Sequence, residues 1–326
     1  MAKSSAAAKA AKMSVKKAAK TTDKAATKPK SAKSESAKPT ARIKVNADVA
    51  MPAAAPKPQT IAGGGNVYTG IGGWTFEPWR GVFYPEGLSH AKELTYAANC
   101  LTSIEINGTF YRTQTPATFH KWASEVPNGF KFSVKGVRYV TNRTVLAEAG
   151  DSIARFIDSG VLELGDRLGP LLWQMNPYKK FDEADFGKFL ELLPHKVGDQ
   201  RVRHVVEIRH DSFKTPAFIA LLRQFNVGIV YSEHETYTEI ADVTSDFVYA
   251  RLQKGDDRLA TGYPPKALDG WAERLKVWAK GGQPDDLPRV DTKDAPKQPR
   301  DVYAYVIHEG KVRAPAAAME LIKRLE

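Results

Sequence analysis

The chain has 326 residues and a formal net charge of +11, and all of that excess sits in residues 1–60. There, fourteen basic residues (thirteen Lys and Arg42) face three acids, Asp23, Glu35 and Asp48, whereas residues 61–326 hold 34 of each sign. One cysteine, Cys100, excludes an internal disulfide framework and a cysteine-based zinc cluster, and no apolar run approaches the 18 residues of a membrane helix.

Residues 1–60 contain 18 Ala and no Phe, Trp or Tyr. Such a segment cannot bury enough apolar surface to offset its ordering entropy, so a disordered basic tail is expected. Its N-terminus lacks the apolar core of a secretory signal. Its charges are nearly all Lys, where a transit peptide favours Arg on an amphipathic helix. The expected location is cytoplasmic, with no membrane partner. Gly63-Gly64-Gly65 marks a glycine-rich linker over residues 61–66, and a folded body follows from 67 to 326.

From there short apolar runs alternate with amphipathic stretches. Strands are predicted at 67–71, 103–107, 130–135, 170–175, 204–208, 227–231, 247–252 and 302–306. Helices are predicted at 89–100, after Thr115-Pro116, after caps at Asp151 and Asp182, after Thr215-Pro216, at 265–280 and at 315–325. A helix follows every strand but the sixth. Strict alternation implies parallel strands with right-handed crossovers. Eight units in about 260 residues suit an α/β fold of the TIM-type (β/α)8 class. The alternative is a doubly wound sheet, but its G-x-G-x-x-G turn fails here, because Thr75 stands where the third glycine should fall. Residues 284–300, polar and rich in Pro and Asp, read as a surface insertion.

Strand parity then locates the chemistry. A strand covered by helices is apolar outward, so its polar parity faces the barrel interior. That parity gives Ser103, Glu105 and Asn107; Lys131, Ser133 and Lys135; Glu207 and Arg209; Tyr249 and Arg251; and Tyr303 and Tyr305, with Gln174 ending the fourth strand. Glu105, Lys135, Glu207, Arg209 and Arg251 thus converge at the C-terminal mouth, where barrels of this class react. Their summed charge is +1. Two carboxylates with split pKa values could serve as acid and base. Lys135 could be a nucleophilic amine or one half of an ion pair, and arginine forks suit carboxylate or phosphate. The bland alternative is a self-satisfied salt-bridge network filling the barrel.

The first loop places five aromatics between Trp74 and Tyr84. They either stack on a ligand or plug one barrel end. Metal binding has little support: seven His show no H-E-x-x-H and no paired ligand spacing. A Glu105/Glu207 metal pair is the weaker alternative. Neither a P-loop nor a G-x-S-x-G elbow is present, and the cofactor stays unassigned.

These strand-end segments resemble the YecE-like family, also called domain of unknown function 72. The resemblance rests on 70–85 (GIGGWTFEPWRGVFYP), 105–111 (EINGTFY), 130–135 (FKFSVK), 168–174 (LGPLLWQ), 207–212 (EIRHDS) and 246–252 (DFVYARL). It implies a TIM barrel with an enzyme-like site and supplies no reaction. The sequence departs from the family's G-T-S-G-W, reading Gly70-Ile71-Gly72-Gly73-Trp74. It also departs from the usual Asn-Asn-Asp at the last strand, reading Ile307-His308-Glu309.

Three functions compete. The first is an enzyme acting on a small anionic or sugar-like substrate, with Glu105, Glu207 and Lys135 catalytic and Asn107, Gln174, Arg209, Arg251, Trp74 and Tyr111 binding. Its class stays open between isomerase, lyase and hydrolase. The second is a nucleic-acid-associated barrel, nuclease-like or tethered to DNA by residues 1–60, whose lysines would bind phosphate non-specifically. The third is a non-catalytic ligand-binding barrel.

Overall fold

The computed structural model describes residues 50–52 and 54–326, so the disorder expected of the tail lies almost wholly outside the described residues. Eight parallel strands carry the fold: β1 (Asn66–Gly72), β2 (Ser103–Ile106), β3 (Lys131–Lys135), β4 (Leu168–Gln174), β5 (His204–Glu207), β6 (Gly228–Glu233), β7 (Phe247–Lys254) and β8 (Asp301–Glu309). Each pairs with the next, and β8 returns to β1 in the register Val302↔Val67 to Val306↔Ile71. The sheet is therefore a closed TIM-type barrel, and closure removes the open doubly wound alternative. At the β1–β2 seam the backbones approach so closely that a Cβ on Gly70 would lie 1.9 Å from Ser103 O, which confines that position to glycine.

Helices α1 (Glu93–Ala98), α2 (Pro116–Ser124), α3 (Gly150–Asp158), α4 (Glu183–Glu191), α5 (Pro216–Gln224), α6 (Pro265–Ala279) and α7 (Ala314–Leu325) follow every strand except β6. The side chains of Thr115, Asp182 and Thr215 accept backbone N–H bonds at the starts of α2, α4 and α5. Asp151 does not act this way: it lies inside the first turn of α3, where a carboxylate still favours the positive end of the helix dipole.

The buried apolar side chains separate by strand parity. Ile71, Ile104, Phe132, Val134, Trp173, Val206, Val248, Ala250 and Ala304 pack outward under the helices. Tyr68, Leu172, Val205, Val230, Phe247, Tyr249, Tyr303, Tyr305 and Ile307 fill the barrel. Tyr68 stacks on Tyr303 with ring centroids 4.9 Å apart. Inside, Ser103 Oγ and Tyr305 OH lie 2.7 Å apart, and Ser133 Oγ and Tyr249 OH 2.8 Å apart. A pairwise hydroxyl filling of this kind satisfies polar groups that burial would otherwise penalise.

One stretch differs from the composition-based reading, and a second is tied down more closely than composition shows. Gln59–Thr60 pairs antiparallel with Val67 and Asn66, so residues 61–65 form the turn of a hairpin and not a linker. The insertion before β8 is anchored to the barrel. It lies against the helix-free segment after β6: Ala241 N donates to Pro288 O at 2.8 Å, and the buried Asp242 carboxylate accepts Val290 N at 2.7 Å and Asp291 N at 3.0 Å. Arg223 of α5 reaches across to Asp291 at 2.5 Å. Leu287 and Val290 pack against the main core, supplying apolar cover where a sixth helix would sit.

Candidate active site

The C-terminal ends of the strands surround a cavity of about 440 Å³. Asn107, Lys135, Gln174, Arg209 and Arg251 line it, as does Tyr111 at its rim, so six of the nine side chains picked from the sequence meet there. Gly72, Trp79, Gln253, Ile307 and Lys311 complete much of the wall.

Glu105 and Glu207 are fully buried beneath this wall. Glu207 binds both arginines. Its Oε1 accepts Arg209 Nε at 2.9 Å, and its Oε2 accepts Gln174 Nε2 at 2.9 Å and Arg251 Nη1. Glu105 Oε1 accepts Arg251 Nη2 at 3.1 Å and Asn107 Nδ2 at 2.9 Å, and its Oε2 accepts Tyr249 OH at 2.6 Å. Every carboxylate oxygen is thus engaged. Burial on its own would raise the pKa of Glu207, but Arg251 and then Arg209 hold it well below the usual carboxylate range. A group so firmly ionised at neutral pH is a poor general acid and a weak base. The sequence assigned both glutamates to proton transfer. In the structure Glu207 holds Arg251, Arg209 and Gln174, and Glu105 holds Arg251, Asn107 and the Tyr249 hydroxyl.

Lys135 differs from its neighbours. The sequence favoured an ion pair, yet among the described residues Lys135 Nζ has none. It lies 4.4 Å from the centroid of Phe110, on the loop after β2. Burial first, then the nearby Arg251, lowers its pKa to about 8. Arg251 goes the other way, because Glu105 and Glu207 hold it charged against its burial. Lys311, beyond β8, sits 4.1 Å over Phe76, and burial lowers its pKa as well. Two donors, Arg251 Nε and Gln253 Nε2, are buried with no hydrogen-bond partner among the described residues. With Lys311 counted, four cations stand against two carboxylates, a site charge of +2 where the strands alone gave +1.

Trp74 does not reach the cavity. Its ring packs edge-on against Trp122 of α2 at 5.1 Å and near the outward-facing Phe132. The rest of the first loop is a plug: Trp79, Phe83 and Tyr84 pack on one another and on Tyr96 of α1, and of these Trp79 touches the cavity, with its Nε1 donating to Lys311 O at 2.8 Å. Among the described residues no group of three or more His, Cys, Asp or Glu is gathered as a metal site requires, and no helix is long and apolar enough to cross a membrane.

Fold and mouth together define a TIM-type barrel with a cationic cavity at its C-terminal face. The chain belongs to the DUF72 family, described as proteins of unknown function, which it matches over residues 68–326. It is 25% identical over 158 residues to the UPF0759 protein YunF of Bacillus subtilis (strain 168), a stretch covering 47% of this chain and 54% of that relative, so about half the relative's length is spanned. Its fold is similar to the crystal structure of a DUF72 family protein from Thermotoga maritima MSB8, with TM-score 0.58 and 22% identity over 79% of this chain and 98% of that one. It is also similar to a DUF72 family protein from Enterococcus faecalis V583, with TM-score 0.56 and 14% identity over 79% and 96%.

Proposed function

We propose that the barrel is an enzyme for a small anionic metabolite, a carboxylate or a sugar phosphate, with Lys135 as its proton-transfer group. The observation that carries this reading is the contrast between two cations in one cavity. Arg251 is clamped between Glu105 and Glu207, whereas Lys135 faces the cavity with no carboxylate against it and a lowered pKa. A clamped guanidinium is a preorganised oxyanion binder, and an amine titrating near pH 8 can both give and take a proton under working conditions. Arg209, Lys311, Gln174, Gln253 and Asn107 would hold and orient the anion, while Glu105 and Glu207 position the arginines from below. The reaction class lies among isomerase, lyase and hydrolase.

The test is a thermal-shift screen of the full chain against carboxylates, sugar phosphates and matched neutral sugars, followed by turnover assays on the compounds that bind. Anions should raise the melting temperature, and Arg209→Met should remove the shift. Lys135→Met should keep binding and lose turnover. Equal shifts from neutral sugars, or anion shifts that survive Arg209→Met, would sink the reading. Binding without turnover of any hit would leave a ligand-binding barrel in its place.

A further inference from the structure

We propose that the loops after β2, β3 and β4 form a binding surface for single-stranded nucleic acid, beside the mouth cavity and separate from it. Two grooves meet there. The larger, about 960 Å³, is lined by Arg138, Tyr139, Arg143 and Arg155 among others. The smaller, about 400 Å³, is lined by Tyr178, Lys179 and Lys180. Asn142 and Arg143 line both, so the grooves run into one another. Neither contains a carboxylate in its wall. The body as a whole has no net charge, so this is a local concentration of positive charge and not a general one.

The arginines are held but not neutralised. Arg143 donates from Nε to Tyr139 O and from Nη2 to Ser152 Oγ, both at 3.1 Å. Arg155 Nε donates to Asp151 O at 3.2 Å. Carbonyl and hydroxyl acceptors fix the direction of a guanidinium and leave its charge for a phosphate. Lys179 is the exception, paired with Asp185 at 2.7 Å. Arg138, Arg143, Arg155 and Lys180 have no ion pair among the described residues.

Rings stand between these charges. Tyr139 is 64% exposed, Tyr178 87% and Tyr111 68%, and no other aromatic of the described chain is among its exposed large apolar side chains. Tyr111 lines the mouth cavity, while Thr113, two residues on, lines the larger groove, which makes the two sites neighbours. Elsewhere the aromatics of this protein pack on each other, as in the first loop. Flat exposed rings alternating with unneutralised arginines match what an unpaired strand offers, bases to stack and phosphates to bind. A duplex keeps its bases stacked internally and would leave the rings idle. An acidic protein segment would use the charges and gain little from the rings.

The experiment uses the full chain, whose basic residues 1–60 supply a background common to all variants. A fluorescein-labelled oligo-dT 12-mer is titrated by anisotropy from 50 to 200 mM salt. A second 12-mer carrying 5-bromouracil is photocrosslinked and the adducts mapped by mass spectrometry. Crosslinks should appear at Tyr139 and Tyr178. Tyr139→Ala/Tyr178→Ala should weaken binding by on the order of ten-fold at fixed salt. Arg138→Gln/Arg155→Gln should weaken it and flatten the logarithmic salt slope by about 1.4, two contacts at roughly 0.7 each. All four residues are on exposed loops or helix faces, and an unchanged melting temperature would show that the variants fold. Crosslinks confined to residues 1–60, or unaltered affinity in the double tyrosine variant, would overturn the proposal. A loss of duplex affinity in the double tyrosine variant equal to its loss of oligo-dT affinity would do the same. Competition by polyglutamate as strong as that by oligo-dT would assign the surface to an acidic protein.

Discussion

Gly72 on the first strand and Ile307 on the last share one volume at the rim of the cavity. A Cβ on Gly72 would lie 3.0 Å from Ile307 Cγ2 and 3.1 Å from Asn107 Nδ2. Two of the positions at which the sequence departs from the YecE-like pattern therefore face the same volume, and the loss of a side chain at 72 leaves room for the larger one at 307. Gly72→Ser should cost about 1–3 kcal/mol through overpacking. In an Ile307→Ala background that cost should shrink by at least ~0.5 kcal/mol, because the crowded methyl is gone. Urea denaturation of the four proteins in the cycle measures the coupling, and additive costs would show that the two sites do not share space.

Arg251 is fully enclosed with two carboxylates, so its removal strands two buried negative charges. Arg251→Met should cost about 3–5 kcal/mol. Neutralising both partners as well, in Arg251→Met/Glu105→Gln/Glu207→Gln, should recover part of the loss, since the remaining amides need no counter-charge. If the triple variant is less stable than Arg251→Met alone, the glutamates draw their stability from Tyr249, Asn107 and Gln174 more than from the arginine.

Much of this site could be read from alternation alone. The outer face of each strand lies under helices and must be apolar, so the opposite parity carries the polar groups. Glu105, Lys135, Glu207, Arg209 and Arg251 followed from that one rule. Gln253 obeys it too, one step beyond Tyr249 and Arg251 on β7, and was legible in principle. Parity gives direction but not depth. Glu105 pairs in register with Gly72 and Glu207 with Gln174, yet the two glutamates lie beneath the wall that Gly72 and Gln174 line. Nothing in the sequence separated holders from liners. Lys311 and Trp79 escaped because they sit in loops, where no period applies. Trp74 was misplaced for the same reason. The contact between Asp242 and residues 290–291 joins segments some 48 positions apart, and composition alone could not pair them.

That contact carries its own prediction. Asp242 is buried and accepts two backbone N–H groups of the insertion, so Asp242→Ala leaves both donors without their acceptor. Each buried unmet donor costs about 1–3 kcal/mol. Stability should fall by roughly 2 kcal/mol or more, and limited proteolysis should begin within residues 284–300. Unchanged protease resistance there would mean that Leu287 and Val290 anchor the segment without the carboxylate.

The lowered pKa of Lys135 has a signature in stability that needs no substrate. Below about pH 8 the amine is protonated in both the folded and the unfolded chain, and the cost of burying its charge is borne in full. Between about 8 and the ordinary lysine value of 10.5 the unfolded chain binds the proton and the folded chain does not. The unfolded state then holds more protons, so this contribution to stability rises with pH across that window, by roughly 3 kcal/mol in total. Tyrosines titrate in the same range, so the quantity to measure is the difference between the wild type and Lys135→Met. Urea unfolding at intervals from pH 7.5 to 10.5 should show that difference climbing in favour of the wild type. An anion bound in the cavity would stabilise the ammonium and flatten the climb. A difference that stays level without ligand would mean that Lys135 keeps an ordinary pKa, and the proton-transfer role would pass from it.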